Sequence, residues 1–419
     1  MGQRQRNASL PLKAHGSGKP LPFRVRLISG TGEPGMSAVQ AATVQVPALP
    51  DTQSDRRRDV DAKHQWVAQF LQERGCEGLL VLDPHNFAWL SSGAWVRSVL
   101  DPEDMPALLY TANQRYLVCS NVESQRMFDE EINGLGYMLK EWPWHWRRAQ
   151  LVSDLCYGRA MLSDVPCGQT QCVGDVLAVR RRAMSAYEQA CYQALGEILT
   201  QAVETTCREA QPGETERDLA ARVAEKLIRR GAMPIALSVA GDGRSRHYRL
   251  HGYTSARIQQ WAVVVATARK YGLVASAGRT FSFGPAQPQL AHEYLTACKI
   301  AAAYLAHTWP DSAVADIFQA VRRVYTLLGH EYEWELAPQG YVTGRAAVEL
   351  TLVPDSQEVL RRDWVVVWRP SVGAAMCCET ALLAESGPRL LTFSSTWPRV
   401  AIRLSGLEVL LPGILERTS

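Results

Sequence analysis

His247 and His251 stand four residues apart in Gly243-Arg-Ser-Arg-His-Tyr-Arg-Leu-His-Gly252. On a helix that spacing would turn both imidazoles to one face, as a zinc pair requires. The segment reads instead as loop and strand, and no carboxylate follows nearby, so the pattern falls short of a metal site. The ten cysteines supply no alternative: none forms a Cys-x-x-Cys pair, and only Cys167 with Cys172 and the adjacent Cys377–Cys378 lie close together. Reduced thiols in a cytoplasmic protein are the simplest account of them. The cluster Trp142, Trp144, His145, Trp146 could stack on a ligand or base. Packing between domains is the commoner fate of tryptophan in a folded chain. In the run Trp364–Arg369, strand alternation would put Val365, Val367 and Arg369 on one face.

Composition narrows the classes of function. The chain has 419 residues, 47% hydrophobic and 21% charged, an ordinary globular balance for two or more folding units. A net charge of +3 is too small for a surface built to hold nucleic acid. No apolar run reaches the ~18 residues of a membrane span; the best, Trp261–Ala268, is the length of a strand. Residues 1–58 read as a flexible tail rich in Gly, Pro, Ser and Gln. Its charges up to Gly32 are all basic, yet it lacks the amphipathic pattern of a presequence and the apolar stretch of a secretory signal. Arg6 stands where a myristoylated Met1-Gly2 terminus would carry Ser or Thr.

Residues 59–180 alternate helix and strand. His64–Arg74 places Trp66, Val67, Phe70 and Leu71 on one helical face, and Gly75 follows its end. Gly78–Asp83 reads as a buried strand, with further strands at Ala107–Tyr110 and Tyr116–Ser120. From Arg181 the texture changes to long helices. Ala186–Ala210 is followed by Pro212, a capping box at Thr215 and Asp218, and a closing Gly231. Gln289–Thr308 is followed by Pro310, a cap at Asp311 or Ser312, and a closing Gly329. In each copy the proline precedes the aspartate (Asp218, Asp316) by six residues and the glycine by nineteen. The offset is 98 (310 − 212). Such a repeat argues for an internally duplicated α+β domain with its site in the cleft between the halves.

These features resemble the pita-bread superfamily of Xaa-Pro aminopeptidases, methionine aminopeptidases and creatinase. Arg182–Glu188 resembles the basic segment that opens the family's catalytic domain. Ala268-Arg269, Gly272 and Arg279-Thr280-Phe281 fall where the family has Asp-x-Gly-Ala…Gly-Tyr-x-x-Asp-x-Thr-Arg-Thr-Phe. Cys378-Glu379-Thr380 with Gly387-Pro388 to Thr392 resembles its Ile-Glu-Asp-Thr and closing strand turn. The resemblance implies an α+β fold. A pseudo-twofold pita-bread domain at 181–397 would follow a smaller creatinase-type α/β domain at 59–180, with 398–419 as a C-terminal extension. It also implies a homodimer.

The family's peptidases hold two divalent metals with two Asp, one His and two Glu, hard anionic ligands that two dications need. Carried over one at a time, the aspartates fall at Val265 and Ser276, and the histidine at Ala337 or Pro338. The first glutamate falls at Arg369, and only Glu379 survives. The resemblance therefore implies no metal and no cofactor. It gives His251 a role as substrate contact or proton shuttle, and Glu379 an acid–base or orienting role. Arg369 would pair with Glu379 or hold a ligand carboxylate, while Gln339 and Thr343 would line the same cleft. The expected partner is a peptide or small carboxylate-bearing ligand, bound by an aminopeptidase-like protein without metallopeptidase activity. The alternative is a metal-independent, creatinase-like C–N hydrolase using His251 and Glu379.

Overall fold

The computed structural model describes residues 23–28, 52–96, 99–404 and 407–417; most of the expected tail lies outside these. The first unit is a six-stranded mixed sheet of β2 (Gly78–Val81), β3 (Ala107–Thr111), β4 (Arg115–Ser120), β5 (Met138–Trp142), β6 (Met161–Ser163) and β7 (Gln171–Cys172). Its order is β5-β4-β3-β2-β6-β7. Around it lie α1 (Thr52–Arg74), α2 (Pro84–Leu90), α3 (Ser124–Arg126), α4 (Arg148–Cys156) and α5 (Gly174–Arg180). α1 begins at Thr52, well before the expected His64, and still buries Val67, Phe70 and Leu71 against the sheet. Asp83 starts α2 by accepting the amides of His85 and Asn86, with Pro84 in the first turn.

The larger unit is built from two copies of one plan. The first runs α6 (Ala186–Glu209), α7 (Glu216–Arg229), β8 (Met233–Gly241), β9 (Trp261–Lys270), β10 (Leu273–Phe283). The second runs α8 (Pro288–His307), α9 (Val314–Leu327), β11 (Gly340–Thr343), β12 (Leu350–Thr351), β13 (Val365–Trp368). A small hairpin, β14 (Ser371–Val372) and β15 (Ala375–Met376), leads into β16 (Glu379–Ala384) and β17 (Gly387–Leu390). Equivalent antiparallel bridges, Thr215 to Arg257 and Ala313 to Val359, mark the duplication. Ser185–Glu188 and Thr215–Asp218 close capping boxes on α6 and α7. α9 departs from the expected cap: its N-cap is Ala313, and the Ser312 hydroxyl turns back to the Trp309 amide.

Segments 23–28, 399–404 and 407–417 are built into the larger unit. β20 (Ile414–Arg417) pairs in parallel with β10, giving the order β20-β10-β9-β8. β18 (Arg399–Leu404) and β19 (Leu407–Pro412) form a hairpin whose Val400, Ile402, Val409 and Leu411 join the core beneath α8. Phe23–Ile28, inside the stretch read as a tail, forms β1 and pairs antiparallel with β18.

The two halves meet where β10 passes β16. The Gly278 amide donates to Cys378 O at 2.8 Å, and the Ser276 amide to Thr380 Oγ1 at 2.9 Å. Opposite this seam the β9–β10 turn reaches the first unit. Tyr271 and Gly272 take φ of 55° and 67°, and a Cβ on Gly272 would lie 3.0 Å from Ala88 Cβ, so only glycine fits. Lys63 pins the units beside this contact, its Nζ reaching Asp59 at 2.6 Å and Glu188 at 2.7 Å.

Candidate functional site at the seam of the two halves

β9 and β10 pair with Val265 opposite Gly278 and Thr267 opposite Ser276. Alternation puts Val265, Thr267 and Arg269 of β9 on one face, together with Ser276 and Gly278 of β10. That face carries a chain of hydroxyls from three strands. Thr267 Oγ1 lies 2.8 Å from Ser276 Oγ, which lies 3.1 Å from the Tyr341 hydroxyl on β11. Cys378 packs behind it: a Cβ on Gly278 would lie 3.0 Å from Cys378 Cβ and 3.5 Å from Val265 Cγ2. Burial pushes the Cys378 thiol up to about 12, so it stays protonated.

Arg369 follows β13, held by its amide donating to Gln339 O at 2.8 Å. Its guanidinium lies beside the Tyr341 hydroxyl and 4.0 Å from Met376 Sδ. Half-buried, it has no carboxylate within ion-pair distance among the described residues. His251 faces the same region. Its Nδ1 lies 3.1 Å from Tyr248 O, which assigns the proton to Nδ1. Nε2 is then a buried lone pair with no hydrogen-bond partner among the described residues. Burial lowers the His251 pKa, the Tyr248 carbonyl opposes this, and the nearby cations Arg244 and Arg369 lower it further. The imidazole is neutral near pH 7, an acceptor beside a cation.

Glu379 is elsewhere. Its carboxylate receives Arg279 Nη1 at 2.6 Å and the Thr392 hydroxyl at 2.5 Å. Arg279 also binds Glu204 at 2.9 Å. Burial pushes Glu379 up to about 7, against the pull of Arg279 and Thr392. Arg279 is an odd-numbered residue of β10, so this buried cluster lies on the face opposite Ser276 and Gly278. The expected Arg369–Glu379 pair is therefore not formed. Cys378, one residue earlier, is the side chain that turns towards Val265.

Residues 190–372 match the profile of Metallopeptidase family M24. The fold matches the prolidase from Pyrococcus horikoshii with TM-score 0.67 and 18% identity, covering 80% of this chain and 98% of that one. It matches a Xaa-Pro dipeptidase from Bacillus anthracis with TM-score 0.67 and 14% identity, over 80% and 98% of the two chains. The X-Pro aminopeptidase from Thermotoga maritima gives 0.66 and 16%, over 79% and 97%. No curated protein matches the sequence. The chain has the pita-bread fold of these proteins.

Within the pita-bread cleft the other expected contacts separate. Gln339 is buried and spent: its Oε1 receives the Tyr325 hydroxyl at 2.6 Å, and its amide donates to Trp334 O and Ala337 O at 3.1 and 2.7 Å. With both donors and its acceptor engaged it orders the turn before β11 and has nothing to offer a ligand. Thr343 is likewise buried, its hydroxyl 3.2 Å from Val274 O. His247 is exposed while His251 is buried, so the two imidazoles do not converge. Trp142 is buried, but Trp144 and Trp146 stand 68% and 51% exposed, not packed between units. Sequence reasoning missed Thr267, Tyr341 and Cys378, whose convergence depends on pairing between four strands.

Proposed function

We propose that this pita-bread protein has exchanged the superfamily's dinuclear metal centre for a cationic, hydroxyl-lined floor. On this reading it binds a peptide or small carboxylate-bearing ligand without metallopeptidase turnover. The observation that carries the reading is Arg369, a guanidinium with no carboxylate partner among the described residues, set beside Tyr341, Cys378 and His251. The donor set does not fit two dications. Val265 has no lone pair, Ser276, Thr267 and Tyr341 are neutral, the Cys378 thiol is protonated, and Arg369 adds positive charge. Among the described residues no group of three or more His, Cys, Asp or Glu is placed to hold a metal ion. Arg369 suits a carboxylate, which it can bind through two parallel N–H donors. The His251 Nε2 lone pair suits an N–H of the same ligand. Together these match a peptide C-terminus.

The metal-independent hydrolase reading loses support, because it needs Glu379 beside His251 and the Glu379 carboxylate lies across β10 with Arg279. A homodimer is carried over from the resemblance, and light scattering at twice 46.5 kDa would support it. A cytoplasmic location fits ten unpaired cysteines. Among the described residues no helix is long and apolar enough to cross a membrane.

The test is thermal stability with manganese, cobalt, zinc and an Xaa-Pro dipeptide, beside a hydrolysis assay. A ligand of the native state raises the melting temperature by mass action. The dipeptide should raise it without being cleaved, and Arg369→Gln should abolish the rise. Metal-dependent cleavage would overturn the reading.

A further inference from the structure

Arg269 ends the same face of β9 that begins at Val265. Its guanidinium carbon lies 3.8 Å from the centre of the Trp95 ring, contributed by the first unit. One weak bond, Nη2 to Arg345 O at 3.4 Å, is its only hydrogen bond among the described residues, where its Nε is buried without a partner. No carboxylate reaches it among the described residues, and burial lowers its pKa to about 10 with no anion to oppose the shift. A cation stripped of water and left without a counter-ion is unfavourable, and the stacked ring offsets this only in part.

The face of β9 orders what lies between the two arginines. Arg369 stands at the level of Val265, through its proximity to Cys378 and Tyr341. Thr267, Ser276 and Tyr341 come next, and Arg269 with Trp95 last. From Val265 to Arg269 the strand advances about 13 Å. Thr267, Arg269, Tyr341 and Arg369 are each half-buried and so reach solvent, while Val265 and Ser276 lie buried beneath them.

We propose that Arg269, stacked on Trp95, is a second anion subsite, and that the cleft takes a short acidic peptide. The peptide C-terminal carboxylate lies on Arg369, and a side-chain carboxylate near its N-terminal end lies on Arg269. The half-buried hydroxyls of Thr267 and Tyr341 face the backbone between them, with Ser276 bonded to both from beneath. No covalent step is involved. The proposal rests on the carboxylate-binding reading of Arg369 above.

The experiment is calorimetric titration of the full chain with Glu-Ala-Ala-Ala and its isostere Gln-Ala-Ala-Ala. The acidic peptide should bind about tenfold tighter, the worth of one charge-assisted contact at a half-open site. Arg269→Gln should erase that difference, weakening Glu-Ala-Ala-Ala by more than Gln-Ala-Ala-Ala, and Arg269→Lys should restore part of it. Equal binding of the two peptides by the native protein, or a preference that survives in Arg269→Gln, would overturn the second subsite and leave Arg369 standing. Failure of both peptides to bind would remove the underlying reading. A variant melting temperature within a few degrees of the native one confirms that Arg269→Gln reads binding and not folding; if it falls further, Arg269→Lys alone decides.

Discussion

Arg279 and Glu379 meet at 2.6 Å on the face of β10 that turns away from Ser276 and Gly278. Both side chains are almost wholly buried, and Glu204 completes the cluster from α6. The pair locks β10 to β16 from behind, at the seam whose front face forms the cleft floor. One strand thus carries a structural ion cluster on one side and the candidate binding surface on the other.

Removal of Glu379 should therefore act on stability and not on ligand binding. Glu379→Ala strands a buried guanidinium with one partner fewer, which costs about 3–5 kcal/mol in comparable buried pairs. Urea unfolding should show a lower midpoint with an unchanged slope. The affinity of the folded variant for an Xaa-Pro dipeptide should match that of the native protein. A selective loss of affinity at full stability would place Glu379 in the cleft after all.

Arg369 should behave in the opposite way. It has no ion pair among the described residues to lose, so Arg369→Gln should leave the urea midpoint unchanged or slightly raised. Binding of any carboxylate-bearing ligand should fall at least tenfold, the discrimination expected when a bidentate contact is removed. A large drop in stability would mean that this guanidinium is structural.

Lys63 is the test of how the two units are joined. Its Nζ also donates to Trp89 O at 2.8 Å and to Ser92 Oγ at 3.0 Å, so it sits between Asp59 and Glu188 inside a bonded shell. Lys63→Ala leaves Asp59 buried without its cation. The cost should be about 3 kcal/mol or more in urea unfolding, and proteolysis should then cleave between the units. A midpoint within experimental error of the native value would show that the apolar contacts of α1 and α6 suffice.

The duplicated helix–helix–strand plan was legible because helix breaks, capping residues and closing glycines recur at a fixed offset, and local chemistry dictates where helices start and stop. The positions of Val265 and Ser276 followed from motif spacing along β9 and β10, where a strand preserves register. The Arg369–Glu379 pair was not legible either way, because alternation makes a one-residue difference a change of face: Glu379 meets Arg279, and Cys378 packs by Gly278 and Val265. The hydroxyl chain of Thr267, Ser276 and Tyr341 had no local signal, since β11 reaches the site only through its pairing with β13. Arg269 and Trp95 are further apart in sequence still, and only the packing of the first unit on the β9–β10 turn brings them together. The cap of α9 failed for a simpler reason: the backbone bridge of Ala313 to Val359 holds the helix start without a side chain.

His251 provides a pH signature. Its folded-state pKa is lowered below 6.5 by burial and by Arg244 and Arg369, while the Tyr248 carbonyl and Glu216 pull weakly the other way. Between the folded value and 6.5 the unfolded chain binds more protons than the native one, so stability rises with pH across that window and is lost as the pH falls through it. Protonation would place a third cation beside Arg244 and Arg369 and remove the Nε2 lone pair. From pH 7.5 to pH 5 the His251 contribution to the melting temperature should therefore fall, while Glu379, its pKa raised to about 7, contributes in the opposite direction; the native protein should accordingly lose more, or gain less, on acidification than His251→Gln. Dipeptide binding should respond through Nε2 in the same range, weakening as the acceptor becomes a donor. An identical slope in His251→Gln and the native protein would assign the pH dependence to the buried carboxylates and free His251 from any part in it.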